Sequence, residues 1–229
     1  MIEEFEKKID YNFKNKNLLL EALTHRSYLN ENSKWPVHHN ERLEYLGDAV
    51  LELAITEFLF LKYKNANEGK LTLLRAALVN YQNLSKIARK IGLDQFILTS
   101  RGEKKDTTKA WDVILANALE ALIGAIYLDQ GFDSAKKFIN KFIFITLSEI
   151  LKNKEYKDPK SELQEIVQEK IKITPNYAVL EESGPSHKRI FRVGVFLGDK
   201  LIEEGRGESK QEAEMEAARK ALKKINQNV

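Results

Sequence analysis

Three carboxylates stand in an otherwise apolar, helix-favouring run, Asn40-Glu41-Arg42-Leu43-Glu44-Tyr45-Leu46-Gly47-Asp48-Ala49-Val50-Leu51. Glu44 and Asp48 follow Glu41 at offsets of three and seven residues, so on an α-helix all three acids project from one face. Leu43, Leu46, Val50 and Leu51 take the complementary faces. Stacked like charges repel, and the cost is recovered when a cation, a basic partner or solvent sits among them. Oxygen-only donors select a hard divalent ion, Mg²⁺ or Mn²⁺. Spacing alone does not separate such a site from a solvated acidic stripe.

A second run changes that balance. Ile114 to Asp129 is almost wholly apolar, yet it carries Asn117 and Glu120 on one helical face. A helix of that composition belongs in a core, and oxygen-bearing side chains in a core need partners. Two buried helices facing each other can close one metal site.

The first run along its whole length, together with Ala116 to Asp129, resembles the two signature segments of the bacterial ribonuclease III family. The likeness extends in order across almost the entire chain. It implies Glu44, Asp48 and Glu120 as metal ligands, with Asp48 and Glu120 the catalytic pair and Glu41 a support from just outside. Asn117 stands where that family usually has Asp; an amide carbonyl can still ligate Mg²⁺, but it brings no negative charge. The implied activity is an endoribonuclease on double-stranded RNA. Metal-activated water would attack the phosphodiester and leave 5′-phosphate and 3′-hydroxyl ends, in processing of ribosomal RNA precursors and structured messenger RNAs. The alternative, motivated by Asn117, is a double-stranded-RNA-binding protein with weakened catalysis. The resemblance also implies a homodimer, in which the ring of Tyr45 inserts into the partner subunit.

Composition bounds these readings. The chain of 229 residues is 43% hydrophobic, enough for one or two packed cores. With no cysteine, disulfides, zinc–thiolate sites and a thiol nucleophile are excluded, which fits a reducing cytoplasm. His25, His38, His39 and His187 form no metal-ligand spacing. No apolar run is read as approaching the roughly 18 residues that span a bilayer, so a cytoplasmic protein without a membrane partner is expected. Mg²⁺, with Mn²⁺ as a substitute, is the implied cofactor, and no small-molecule cofactor is expected. The net charge of +3 argues only weakly for nucleic acid, and residues 156–229 hold 14 basic against 13 acidic residues, so pattern must carry that claim.

The elements that position these groups follow from periodicity. Residues 1–25 read as helical with an interruption near Tyr11-Asn12-Phe13, and Asn30 to His39 reads as a loop. Asn40 is placed to cap the acidic helix, which runs to about Lys64. Residues 70–91 read as one long amphipathic helix, with Glu68 as a capping residue in front of it. Ser100 to Asp106 reads as an exposed charged loop, and Phe132 to Leu151 as a last helix. Thus residues 1–150 are expected to form an all-α catalytic and dimerisation domain, and residues 151–158 a polar linker.

The pattern then changes to a helix over Lys160–Lys170, alternating strands over Asn176–Glu182, Ile190–Leu197 and Lys200–Gly207, and a helix from Lys210 to Ile225. This α-β-β-β-α order over residues 159–227 resembles the double-stranded-RNA-binding domain. Gln164 and Glu165 fall on the outer face of its first helix, His187 lies in the turn Gly184-Pro185-Ser186-His187, and Lys210 opens the last helix. Gln and His donors suit the 2′-hydroxyls of a wide A-form minor groove, and a lysine-bearing helix N-terminus suits phosphates. Gln211 stands where the family often has a second Lys, which removes one phosphate contact.

Overall fold

A computed structural model of the protein describes residues 2–103, 109–153, 156, 158–185 and 189–227. It divides into two compact units, Met1–Tyr156 and Lys157–Val229. The first is all-helical: α1 (Ile2–Ile9), α2 (Lys16–Ala22), α3 (Arg26–Glu31), α4 (Glu41–Lys62), α5 (Glu68–Val79), α6 (Tyr81–Lys90), α7 (Lys109–Gln130), α8 (Phe132–Phe142) and α9 (Leu147–Asn153).

At the centre of this unit, α7 packs against α2, α4, α6 and α8. Its Leu115, Ala118, Leu119, Ala121, Leu122, Ile123, Ala125 and Ile126 are fully buried, as an all-round apolar helix must be. This helix corrects one sequence expectation, because Lys109–Gln130 is long and apolar enough to cross a membrane. In the fold its apolar surface is spent on neighbouring helices, with more than half of the apolar window buried.

Three further expectations are corrected by local capping. The helix expected over residues 70–91 is two helices, α5 and α6, because Asn80 adopts an extended conformation and its side chain accepts the Asn83 N–H at 2.8 Å. The cap of α5 is Asn67, which accepts from the Lys70 N–H at 2.9 Å; Glu68 lies inside the helix and accepts from the Thr72 hydroxyl at 3.0 Å. Asn40 occupies the position before α4, yet its side chain makes no capping bond. It turns into the core and donates to the Ala22 carbonyl at 3.2 Å, because a buried carbonyl without a partner would cost more than an uncapped helix end. The last helix of the unit is likewise broken into α8 and α9 by a 3-10 turn, Phe144–Thr146, and α9 carries helix through Asn153, three residues into the stretch expected as linker.

The second unit is α10 (Pro159–Ile171), β1 (Asn176–Ser183), β2 (Ile190–Leu197), β3 (Lys200–Gly207) and α11 (Lys210–Gln227). Asp158 caps α10 by accepting from the Lys160 N–H at 3.1 Å, with Pro159 in the first turn where its missing N–H costs nothing. The strands form one antiparallel sheet in the order β1-β2-β3, paired Tyr177↔Val195 and Val195↔Glu203 at its middle. Leu163 and Val167 of α10, Val195 of β2, and Ala217, Ala218, Ala221 and Leu222 of α11 form its core. This is the α-β-β-β-α order read from the sequence.

Candidate functional site

The site grows from a crossing of α4 and α7 that only glycine permits. A Cβ on Gly47 would lie 1.7 Å from the Glu120 carbonyl oxygen, and one on Gly124 would lie 2.3 Å from the Leu43 carbonyl oxygen. The two backbones therefore touch. Glycine in a helix interior costs about 1 kcal/mol relative to alanine, and here the close approach offsets it.

That contact fixes three faces of α4. Leu43, Gly47, Val50, Leu51, Ala54, Ile55 and Leu59 are buried. Glu41, Glu44 and Asp48 form the acidic face, with Glu44 half-buried and Asp48 and Glu41 exposed. Tyr45, Ala49, Leu53 and Phe60 form a third, apolar face that is exposed; Tyr45 itself is 83% exposed.

From α7, Asn117 and Glu120 reach the acidic face. Burial pushes the Glu120 carboxyl up to about 8, helped by the charges of Asp48 and then Glu44. Glu44 is also raised, first by burial and next by Glu41, while a hydrogen bond from the Asn117 side chain opposes the rise. Glu44, Asp48, Asn117 and Glu120 thus act on one another across the two helices. Among the described residues no three carboxylate or imidazole groups close tightly around a point, so the set is grouped in electrostatic range. Two carboxyls held above their ordinary range by burial and by neighbouring acids, with Asp48 and an amide oxygen beside them, fit a hard divalent cation, whose charge would relieve that repulsion.

Glu41 lies at the rim. Arg26 Nη1 is 3.5 Å and His39 Nδ1 3.7 Å from its carboxylate oxygens. His25 caps α3, its Nδ1 accepting the Ser27 N–H. The sequence reading gave Gly47 and Gly124 no role, although glycine inside two strongly helical runs is the signal of close backbone approach.

In the second unit, Gln164 and Glu165 are exposed on α10, beside Ser161, Gln168 and Glu169 along one open groove. Lys210 is exposed at the start of α11, its ammonium 5.8 Å from the Phe191 ring centre, and the Ser209 hydroxyl accepts the Glu212 N–H at 3.1 Å. His187 lies outside the described residues.

With this geometry in place, comparison with known proteins gives a consistent picture. Residues 15–147 match the model of a ribonuclease-III-like family, and residues 159–225 that of the double-stranded RNA binding motif. The chain is 45% identical over 222 residues to a Ribonuclease 3 from a Nitratiruptor species, covering 97% of this chain and 96% of that protein. It is 46% identical over 217 residues to a Ribonuclease 3 from Carboxydothermus hydrogenoformans, covering 95% and 92%. Among solved structures, the nuclease domain of ribonuclease III from Campylobacter jejuni, described with a flexible region involved in dimer formation, superposes with a TM-score of 0.57. The identity there is 47%, over 62% of this chain and 96% of that one.

Proposed function

The chain belongs to the ribonuclease III family of endonucleases, and from that premise we propose that it hydrolyses phosphodiester bonds of double-stranded RNA at the α4–α7 crossing, leaving 5′-phosphate and 3′-hydroxyl ends. The observation that carries this reading is the glycine contact, which brings Glu44, Asp48, Asn117 and Glu120 within electrostatic reach. These four residues would hold Mg²⁺, or Mn²⁺ in its place. Such an ion, when bound, supplies Lewis acidity at a phosphoryl oxygen and lowers the pKa of water. Asp48, the more exposed of the two, would meet substrate, and Glu120, raised to about 8, would give up its proton where cationic charge is held beside it. Glu41, held between Arg26 and His39, supports the site from outside.

RNA capture is assigned to the second unit, where Gln164, Glu165 and His187 suit 2′-hydroxyls and Lys210 suits a phosphate. The RNA substrates in this reading are ribosomal RNA precursors and structured messenger RNAs, and the place of work is the cytoplasm. Cleavage of a long RNA duplex in Mg²⁺, with and without a chelator, is the direct test. Discrete shortening that the chelator stops is the expected result; duplex retained intact but bound would favour the weakened, binding-only reading that Asn117 motivates.

Asn117 gives a sharper check. Its hydrogen bond lowers the pKa of Glu44, whereas an aspartate there would add a further negative charge and raise it. Asn117→Asp should therefore tighten Mg²⁺ binding and shift half-maximal cleavage to roughly tenfold lower Mg²⁺, while making the metal-free site more repulsive. A flat Mg²⁺ titration would mark Asn117 as adapted to its neighbours.

The exposed apolar face of α4 supports a homodimer, because a duplex has two antiparallel strands and a two-fold axis presents one site to each. Sedimentation at micromolar concentration should give twice the 26.4 kDa chain mass. Tyr45→Glu should reduce it to monomer, since a charge would be buried without a partner.

A further inference from the structure

In the second unit, α10 and α11 carry the groups assigned to RNA, and the two helices are anchored differently. α11 rests on bare backbone: a Cβ on Gly205 would lie 2.1 Å from the Ala213 carbonyl oxygen and 2.3 Å from the Ala217 nitrogen, and one on Gly207 would lie 2.6 Å from the Ala213 nitrogen. Its first turn is tied down as well. Ser209 Oγ accepts the Glu212 N–H and Glu212 Oε2 accepts the Glu208 N–H, both at 3.1 Å, while the Glu216 carboxylate accepts the Arg206 N–H. The start of α11, with Lys210, is therefore fixed against β3.

α10 is seated more loosely. It packs against α11, its Leu163 and Val167 sharing one core with Ala217, Ala218 and Ala221. Apolar contact opposes separation but is non-directional, so it sets no register along the helix axis. A directional contact is supplied by Lys160, whose Nζ donates to Glu214 Oε2 at 2.6 Å. The same ammonium lies 4.7 Å from the centre of the Tyr177 ring, so it is held by α11 and by β1 at once. With side chains 35% and 26% exposed, the pair is screened less than an ion pair in open solvent.

Lys160 precedes Gln164 by four residues, and Glu214 follows Lys210 by four. On each helix the paired residue thus shares a face with the group assigned to RNA, one turn away. An A-form duplex presents its minor-groove 2′-hydroxyls and its phosphates at one fixed offset; a B-form duplex has a different groove geometry and no 2′-hydroxyl. A domain that touches both must hold its two contacts at the A-form offset before it binds, or lose affinity in ordering them.

We propose that Lys160 and Glu214 are positioning residues that fix α10 along α11, set the spacing between Gln164 and Lys210, and so give the chain its preference for A-form RNA over B-form DNA. The inference rests on the assignment of RNA capture to this unit. Both residues act through their helices rather than by touching RNA.

The test is duplex affinity of the full chain in chelator, measured with RNA and with DNA of the same sequence over a range of salt. The variants are Lys160→Met, Glu214→Gln and the reversed pair Lys160→Glu with Glu214→Lys. One misaligned hydrogen-bonding contact is worth a factor of about five, so each single variant should bind RNA roughly fivefold more weakly at unchanged DNA affinity. The salt slope should stay at wild type, because Lys210 keeps its seat on α11. The reversed pair should regain most of the RNA preference. The two single variants change net charge in opposite directions, so plain electrostatics would weaken binding in one and tighten it in the other. A loss confined to Lys160→Met with a shallower salt slope makes Lys160 a phosphate contact and overturns the proposal. Equal losses for RNA and DNA overturn it too, since they mark a merely structural pair. If Gln164→Ala and Lys210→Ala bind RNA like wild type, the capture assignment falls and the pair with it. If those two weaken binding while the pair variants keep the wild-type preference, the pair alone falls.

Discussion

Glu120→Gln abolishes cleavage and, in the same protein, raises the melting temperature of the metal-free form: that is the largest paired effect the site should give. The carboxyl is lifted from 4.5 to about 8 in the folded chain, so folding binds its proton more tightly than the unfolded chain does. The resulting stabilisation is fully present below about pH 4.5 and is lost as pH rises toward 8; above that, ionised Glu120 opposes folding. Gln removes the charge and keeps the volume. After discounting for solvent screening at a half-buried group, the gain at pH 8 in chelator is on the order of 2 kcal/mol, or about 4–8 °C in Tm. At pH 5 it should nearly vanish. Activity should fall by at least about a hundredfold, since even groups that merely orient a metal ligand are worth 10- to 100-fold. Calorimetry at the two pH values and a cleavage assay on one preparation check both halves. A variant with near-normal turnover would sink the assignment of Glu120.

Gly47→Ala carries the second large effect. The new methyl would sit 1.7 Å from the Glu120 carbonyl oxygen and 2.9 Å from the Gly124 nitrogen. Both obstacles are backbone, so no rotamer change relieves them and the helices must separate. Overpacking of this kind costs about 1–3 kcal/mol and more where the backbone itself is blocked. Alanine returns only about 1 kcal/mol of helix propensity. A fall in Tm of about 10 °C or failure to fold is expected. Gly69→Ala is the matched control, because its Cβ would meet nothing nearer than the Asn67 side-chain oxygen at 3.9 Å. Should Gly47→Ala melt with wild-type protein, the helices do not touch as described.

What the sequence discloses and what it hides divide along physical lines. The offsets of Glu41, Glu44 and Asp48 follow from helix geometry alone, and Asn117 and Glu120 stand out as polar groups in an apolar run. The strands of the second unit are legible because alternation at period two is local. The break at Asn80 is not, since apolar periodicity continues across it and only a side-chain cap turns the chain. Asn40 misleads for the opposite reason: a favoured capping residue is drawn inward by the Ala22 carbonyl. The bond from the Ser27 hydroxyl to the Glu103 carboxylate spans 76 residues, and no local pattern encodes it.

The position of α7 in the chain bears on how the protein is made. An unpaired 22-residue helix of this apolarity is a hazard on a nascent chain, open to aggregation or to a lipid surface. Synthesis proceeds from the N-terminus, and α2, α4 and α6, which pack on α7, have already been translated when it emerges. α8 follows. The order of helices along the chain thus lets a prepared groove receive the segment as it leaves the ribosome, with Gly47 already in place for the closest contact.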